Sequence, residues 1–141
     1  MRDVAADIIL PRYRTLLDGD ITEKGPDDLV TIADTEAEQT LAPILTSLLP
    51  GSLVVGEEAV SADPDVLRAG AASACTWVID PIDGTRQFVA GTEHFTVMVG
   101  LIEQGLTTAS WILQPTTGLL LAADAATHRR ACDQLAPGGR L

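Results

Sequence analysis

With 141 residues, 46% hydrophobic and 21% charged, the chain holds enough apolar material for one domain with its own core. Twenty acidic against nine basic residues leave a net charge of −11, which argues against nucleic acid or an anionic membrane as the primary partner. Two distant cysteines, Cys75 and Cys132, exclude a disulfide framework and a zinc site, and each is expected as a small buried apolar residue.

Residues 3–17 place Val4, Ala5, Ile8, Ile9, Leu16 and Leu17 roughly on one helical face, with Pro11 as a kink or break. Residues 21–28 are expected as a connecting stretch, and Lys24, the only lysine, as solvated surface. Thr31 opens a second helix, because Asp34 three residues on completes a pattern like a capping box. Asp34, Glu36 and Glu38 lie toward the positive end of its dipole. Ala33, Ala37, Leu41, Ile44, Leu45 and Leu48 form its apolar stripe, Pro43 lies inside it, and Pro50-Gly51 ends it. Capping by itself accounts for Asp34.

Residues 52–55 predict a short strand, which leaves Glu57 of Gly56-Glu57-Glu58 just beyond a β-run. Residues 59–74 are small and polar, and are expected as a loop with a helical turn at 65–69. A second strand, Trp77-Val78-Ile79, then runs into Asp80, and Asp83-Gly84-Thr85 predicts the entry to a short helix over 86–90 stopped by Gly91. Residues 94–103 are apolar on both faces and predict a central strand. Gln104-Gly105 is a hairpin signal, and strands over 106–113 and 118–122 follow in an antiparallel meander. The segment 128–141 has no evident packing role. No run reaches signal-peptide or transmembrane length, so a cytoplasmic protein without membrane attachment is expected. The expected fold is α+β, an antiparallel sheet with the two N-terminal helices packed on one face.

Asp80, Asp83 and a helix start converge on one point. Carboxylates there suit a hard cation, and free helix amides suit a phosphate. Taken alone, the pair is also accounted for by a strand–turn–helix junction, with Asp83 a cap and Asp80 a turn former. Glu57 occupies the same kind of place as Asp80. Two such charges about 4 Å apart repel by roughly 4 kcal/mol at an effective dielectric near 20, a penalty that magnesium would remove. With a net charge of −11, an anionic substrate also needs a bound cation to reverse the local sign.

The string Trp77-Val78-Ile79-Asp80-Pro81-Ile82-Asp83-Gly84-Thr85, preceded by Gly56-Glu57-Glu58 and by Asp28-Leu29-Val30-Thr31-Ile32-Ala33-Asp34, resembles the inositol monophosphatase family. The likeness covers roughly residues 8–123. It implies a magnesium-dependent, lithium-sensitive phosphatase, and a fold equivalent to the first domain of the inositol monophosphatase and fructose-1,6-bisphosphatase type. It further implies that Glu57, Asp80 and the Ile82 carbonyl bind a first Mg2+, and Asp80 and Asp83 a second. Gly84 and Thr85 would hold phosphate through backbone N–H groups, with Glu57 and Asp83 also on the substrate side. Thr85 and Asp34 would orient the attacking water. Lys24 matches a lysine often found before the family's Asp-x-Val-Thr segment, and His94 and His128 match nothing catalytic.

The sequence departs from the family in length. Family members are close to twice as long, and their second half supplies a Trp-Asp pair and most contacts to the alcohol; neither is found here. The expectation is therefore a metal-binding domain over 1–127, a divergent flexible tail over 128–141, and an absent C-terminal domain. Arg86-Gln87-Phe88 replaces the Thr-Asn-Phe of inositol-specific members, which leaves inositol phosphate, 3′-phosphoadenosine 5′-phosphate and histidinol phosphate as candidate monoesters. The alternative is an inactive remnant acting only as a cation-binding or interaction domain. A lone first domain exposes the face that meets the second, so self-association, up to a homodimer, is expected.

Overall fold

A computed structural model describes residues 1–26, 28–127 and 129–134. The N-terminal segment, α1, passes from an α-turn over Arg2–Val4 through a π-turn over Ala5–Ile9 to a 3-10 turn over Leu10–Arg12. It stops five residues short of the helix expected over 3–17. Pro11 is accommodated at the start of the tight last turn, where no helical N–H is required. Tyr13 is then extended and Arg14 takes φ 64°, which directs Leu17 out into solvent.

The stretch expected as a connector is a hairpin. β1 (Ile21–Gly25) pairs antiparallel with β2 (Asp28–Thr31), Ile21 opposite Thr31. Its first strand, Ile-Thr-Glu-Lys-Gly, carries one strongly apolar residue, so no alternation marks it in the sequence. α2 (Ile32–Leu48) follows directly. Ala33, Ala37, Leu41 and Leu45 bury its inner stripe, whereas Ile44 and Leu48 at the expected stripe's edge are exposed.

Six strands form the main sheet in chain order: β3 (Leu53–Gly56), β4 (Cys75–Asp83), β5 (Thr96–Glu103), β6 (Leu106–Gln114), β7 (Leu119–Asp124) and β8 (Arg129–Gln134). Every neighbouring pair is antiparallel except β3 and β4, which are parallel. A parallel pair needs a crossover connection. The segment expected as a loop with a helical turn at 65–69 supplies it: the turn is present and extends to α4 (Asp65–Ala72), and α3 (Glu57–Ala62) precedes it. β5 is central, as its two apolar faces predict, and Gln104 and Gly105 turn the β5–β6 hairpin with both φ values positive. β8 corrects the expectation of an unpacked tail from 128 onward, because residues 129–134 pair along β7. The rest of that tail, 128 and 135–141, lies outside the described residues.

The strand register sorts the side chains into two faces. Trp77, Ile79, Val97, Val99 and Leu113 face α1 and α2 and make the core with Ile9, Ala33, Ala37 and Leu41. The chain's five aromatic residues fall into two groups within this layer. Trp77 packs on Trp111, and Tyr13, Phe88 and Phe95 pack together with centroids 4.9 to 6.0 Å apart. On the other face, Gly70 of α4 lies against Val55, but the cover ends there. Val78 and Leu121 are 40% and 44% exposed, in rows with the half-buried Met98 and Ile112. Neither cysteine is buried: Cys75 is intermediate and Cys132 is exposed on β8. No helix among the described residues is long and apolar enough to cross a membrane.

Candidate active site

The parallel pairing places Gly56 opposite Ile79, so Glu57 and Asp80 are the residues that follow the last pair. Glu57 is the first residue of α3 rather than part of a loop. Asp80 does not end its strand either: β4 continues to Asp83, and its register against β5 shifts between Asp80 and Asp83. Pro81 and Ile82 are buried in this irregularity, which leaves Asp80 and Asp83 on its polar side. Asp80 Oδ1 accepts from the Ile82 N–H at 3.1 Å. Asp83 is exposed, with the Thr96 hydroxyl 3.5 Å from its Oδ2.

Gly84 has φ 95°, and a Cβ there would lie 2.9 Å from the His94 carbonyl oxygen, so only glycine makes this turn without strain. It leads into α5 (Thr85–Val89), one residue earlier than predicted. Fully buried Phe88 anchors α5 against Phe95 and Tyr13, and the Tyr13 hydroxyl donates to the Gly91 carbonyl at 2.9 Å. Thr85 Oγ1 is thereby held 3.0 Å from the Ile82 carbonyl oxygen and 3.2 Å from Asp34 Oδ1.

Asp34 sits on the opposing helix start, and capping and the site share it. Its Oδ2 accepts from the Thr31 N–H at 2.8 Å and the Thr31 hydroxyl at 2.5 Å, and the Ala33 N–H donates back to Thr31 Oγ1 at 3.2 Å. Its Oδ1 faces Thr85. Burial raises the Asp34 pKa against those hydrogen bonds. For Asp80 burial, reinforced by the charges of Glu57, Asp83 and Asp34, pushes the carboxyl up to about 7.

Two residues outside the expected set hold the same region. Lys24 is not solvated surface: its Nζ lies 3.1 Å from Glu58, 3.6 Å from Glu57 and 3.8 Å from Asp28. Burial pulls its pKa down, but the hydrogen bond and charge of Glu58, with Glu57 and Asp28, leave it raised. Glu38, buried on α2, accepts from the Glu58 and Ala59 N–H groups at 2.8 Å each. The sequence shows Glu38 only as one more acid in a helix. His94 is exposed, and His128 lies outside the described residues.

Among the described residues no three Asp, Glu, His or Cys side chains stand close enough to form a ligand set. The donor chemistry nonetheless fits a hard cation. Glu57, Asp80, Asp83 and the Ile82 carbonyl offer oxygen alone, and the Asp80 pKa, raised first by burial, is raised further by the Glu57 and Asp83 charges, which a divalent ion would offset.

The molecule is thus an α+β domain with an oxygen-rich polar site where the end of β3 and the last residues of β4 meet the starts of α2, α3 and α5. The sequence profile described as the inositol monophosphatase family matches residues 1–135. An inositol-1-monophosphatase SuhB from Mycobacterium tuberculosis is 40% identical over 93 residues, covering 65% of this chain and 31% of that protein. A Nus factor SuhB from Vibrio cholerae is 34% identical over 102 residues, 72% of this chain and 36% of that one. Among solved structures, an inositol monophosphatase from Zymomonas mobilis matches with a TM-score of 0.70 and 31% identity, covering 94% of this chain and 47% of that one. The Thermotoga maritima IMPase, at 23% identity, shares the fold with a TM-score of 0.79 over all of this chain and 49% of its own. The chain belongs to the inositol monophosphatase family. It spans about a third of the curated relatives and about half of the solved structures.

Proposed function

We propose that this chain carries the first-domain part of a magnesium-dependent phosphomonoesterase site, acting on a small phosphate monoester such as inositol 1-phosphate. The observation that carries the proposal is the approach of Thr85 to Asp34, 51 residues apart in sequence, beside Asp80. Glu57, Asp80, Asp83 and the Ile82 carbonyl would hold Mg2+, which would supply charge neutralisation to the phosphate and acidify a water. A hydroxyl has one proton and two lone pairs. When Thr85 gives its proton to Asp34, its oxygen is left to accept a proton of the attacking water and so orient it. Asp34, held by Thr31 and raised in pKa by burial, is placed to receive that proton. Gly84 and Thr85, at the start of α5, would present backbone N–H groups to the phosphate.

The same reading covers partners and location. Self-association through the open face around Val78 and Leu121, in the cytoplasm, belongs to it, and a monodisperse monomer in sedimentation would count against that part.

Phosphate release from several monoesters at millimolar Mg2+, with Asp80→Asn as control, tests the reaction. Release that needs Asp80 and is inhibited by Li+ supports it. Release no greater than that of the variant sinks it for this chain and leaves a cation-binding remnant.

A further inference from the structure

We propose that Glu38 is a positioning residue for the metal site, setting the place of Glu57 by capping the helix on which Glu57 stands. The inference rests on the reading of Glu57 as a metal ligand. α3 begins at Glu57 after Gly56, and no side chain of its own caps it. Its open amides are met from another helix. Glu38 Oε2 accepts from Glu58 N–H and Oε1 from Ala59 N–H, both at 2.8 Å, the second and third residues of α3. Each carboxylate oxygen thus closes one of the orphan donors of a helix start.

Gly56 makes the approach feasible. A Cβ at that position would lie 2.1 Å from Glu38 Cδ and 2.4 Å from each of its oxygens, so any side chain there evicts the carboxylate. Glu38 is 7% exposed and sits on the same face of α2 as Ala37, Leu41 and Asp34, whose packing fixes the helix. Glu57 itself is exposed, and its one ion-pair partner among the described residues, Lys24, is a separate side chain 3.6 Å away. The backbone beneath it therefore takes its place from Glu38. The same helix, α2, carries Asp34 at its start and Glu38 one turn later, so one rigid body aligns Asp34 and Glu57.

The test is Mg2+ binding by calorimetry on the full chain, comparing wild type with Glu38→Gln, Gly56→Ala and the exposed-face control Gln39→Ala. Glutamine keeps the size but turns one acceptor into a donor facing an N–H. Loss of a group that orients a ligand typically weakens metal affinity 10- to 100-fold. About tenfold weaker binding is expected for Glu38→Gln and Gly56→Ala, with none for Gln39→Ala. Faster amide exchange at Glu58 and Ala59 than in wild type should accompany it, while far-UV circular dichroism stays unchanged. Wild-type affinity in both variants overturns the role of Glu38. Should Glu38→Gln unfold, Gly56→Ala and Glu38→Asp, one methylene short, are judged by the same two readouts. A wild-type chain that binds no Mg2+ overturns the metal reading itself, and the positioning role with it.

Discussion

Of the three helices that begin at this site, α2 and α3 are held at their starts in different ways. α2 is closed from within: Thr31 accepts from Ala33, and Asp34 returns to the Thr31 N–H and hydroxyl, all within four residues. α3 is closed from outside by Glu38, twenty residues before the amides it meets. The local cap can form whenever α2 does. The remote cap exists only once α2 and α3 are docked, so Glu57 is in place only in the fully folded molecule. One site therefore has a self-sufficient half and a dependent half.

That contrast can be broken most directly at Glu38. Glu38→Ala removes both acceptors from a partly buried pair of N–H groups and is expected to cost about 2 to 4 kcal/mol in urea unfolding. Thr31→Ala removes the local cap and is expected to cost about 1 to 2 kcal/mol by the same measurement. The reverse ranking would show that the remote cap is dispensable.

The acid response sharpens the comparison next. Asp80 titrates at about 7 in the folded chain against an ordinary value of 3.8, so the native state holds its proton more tightly than the unfolded state does. Its contribution to stability is complete below the lower value and is lost as pH rises through the upper one. Asp34 and Glu58 are shifted in the same direction. Without added divalent cation, the melting temperature is expected to fall by several degrees between about pH 4 and 7, less so in Asp80→Asn; an identical slope in that variant would assign the titration elsewhere. The smallest effect is expected at Lys24. Lys24→Met should cost about 0.5 to 1 kcal/mol, and the loss should shrink in molar salt as screening weakens the ion pairs in the wild type.

Much of this molecule is legible in the sequence where neighbours along the chain carry the information. The stripe Ala33, Ala37, Leu41 and Leu45, the Thr31–Asp34 box, the central β5 and the Gln104-Gly105 turn are all expected and present. What is missed has weak local signal. β1 has almost no apolar alternation, and α3 is only six residues long, so neither segment declares its period; of α4 the sequence shows only the turn at 65–69. β8 is polar in sequence, with residues 130–133 exposed, and takes strand form because β7 offers it a free edge.

By itself the sequence determined the α+β class and the capping of α2, and it shows Asp80, Asp83, Gly84 and Thr85 as one short motif, because those depend on local periodicity and spacings of a few residues. Only the tertiary structure decided which groups meet across long separations. Thr85 reaches Asp34 over 51 residues, Lys24 reaches Glu58 over 34, and Glu38 reaches the start of α3 over 20. No local pattern encodes such a meeting. It is set by the docking of α2 and the parallel β3–β4 pair, where the burial of apolar faces selects one arrangement and the polar groups at the helix and strand ends find their partners in it.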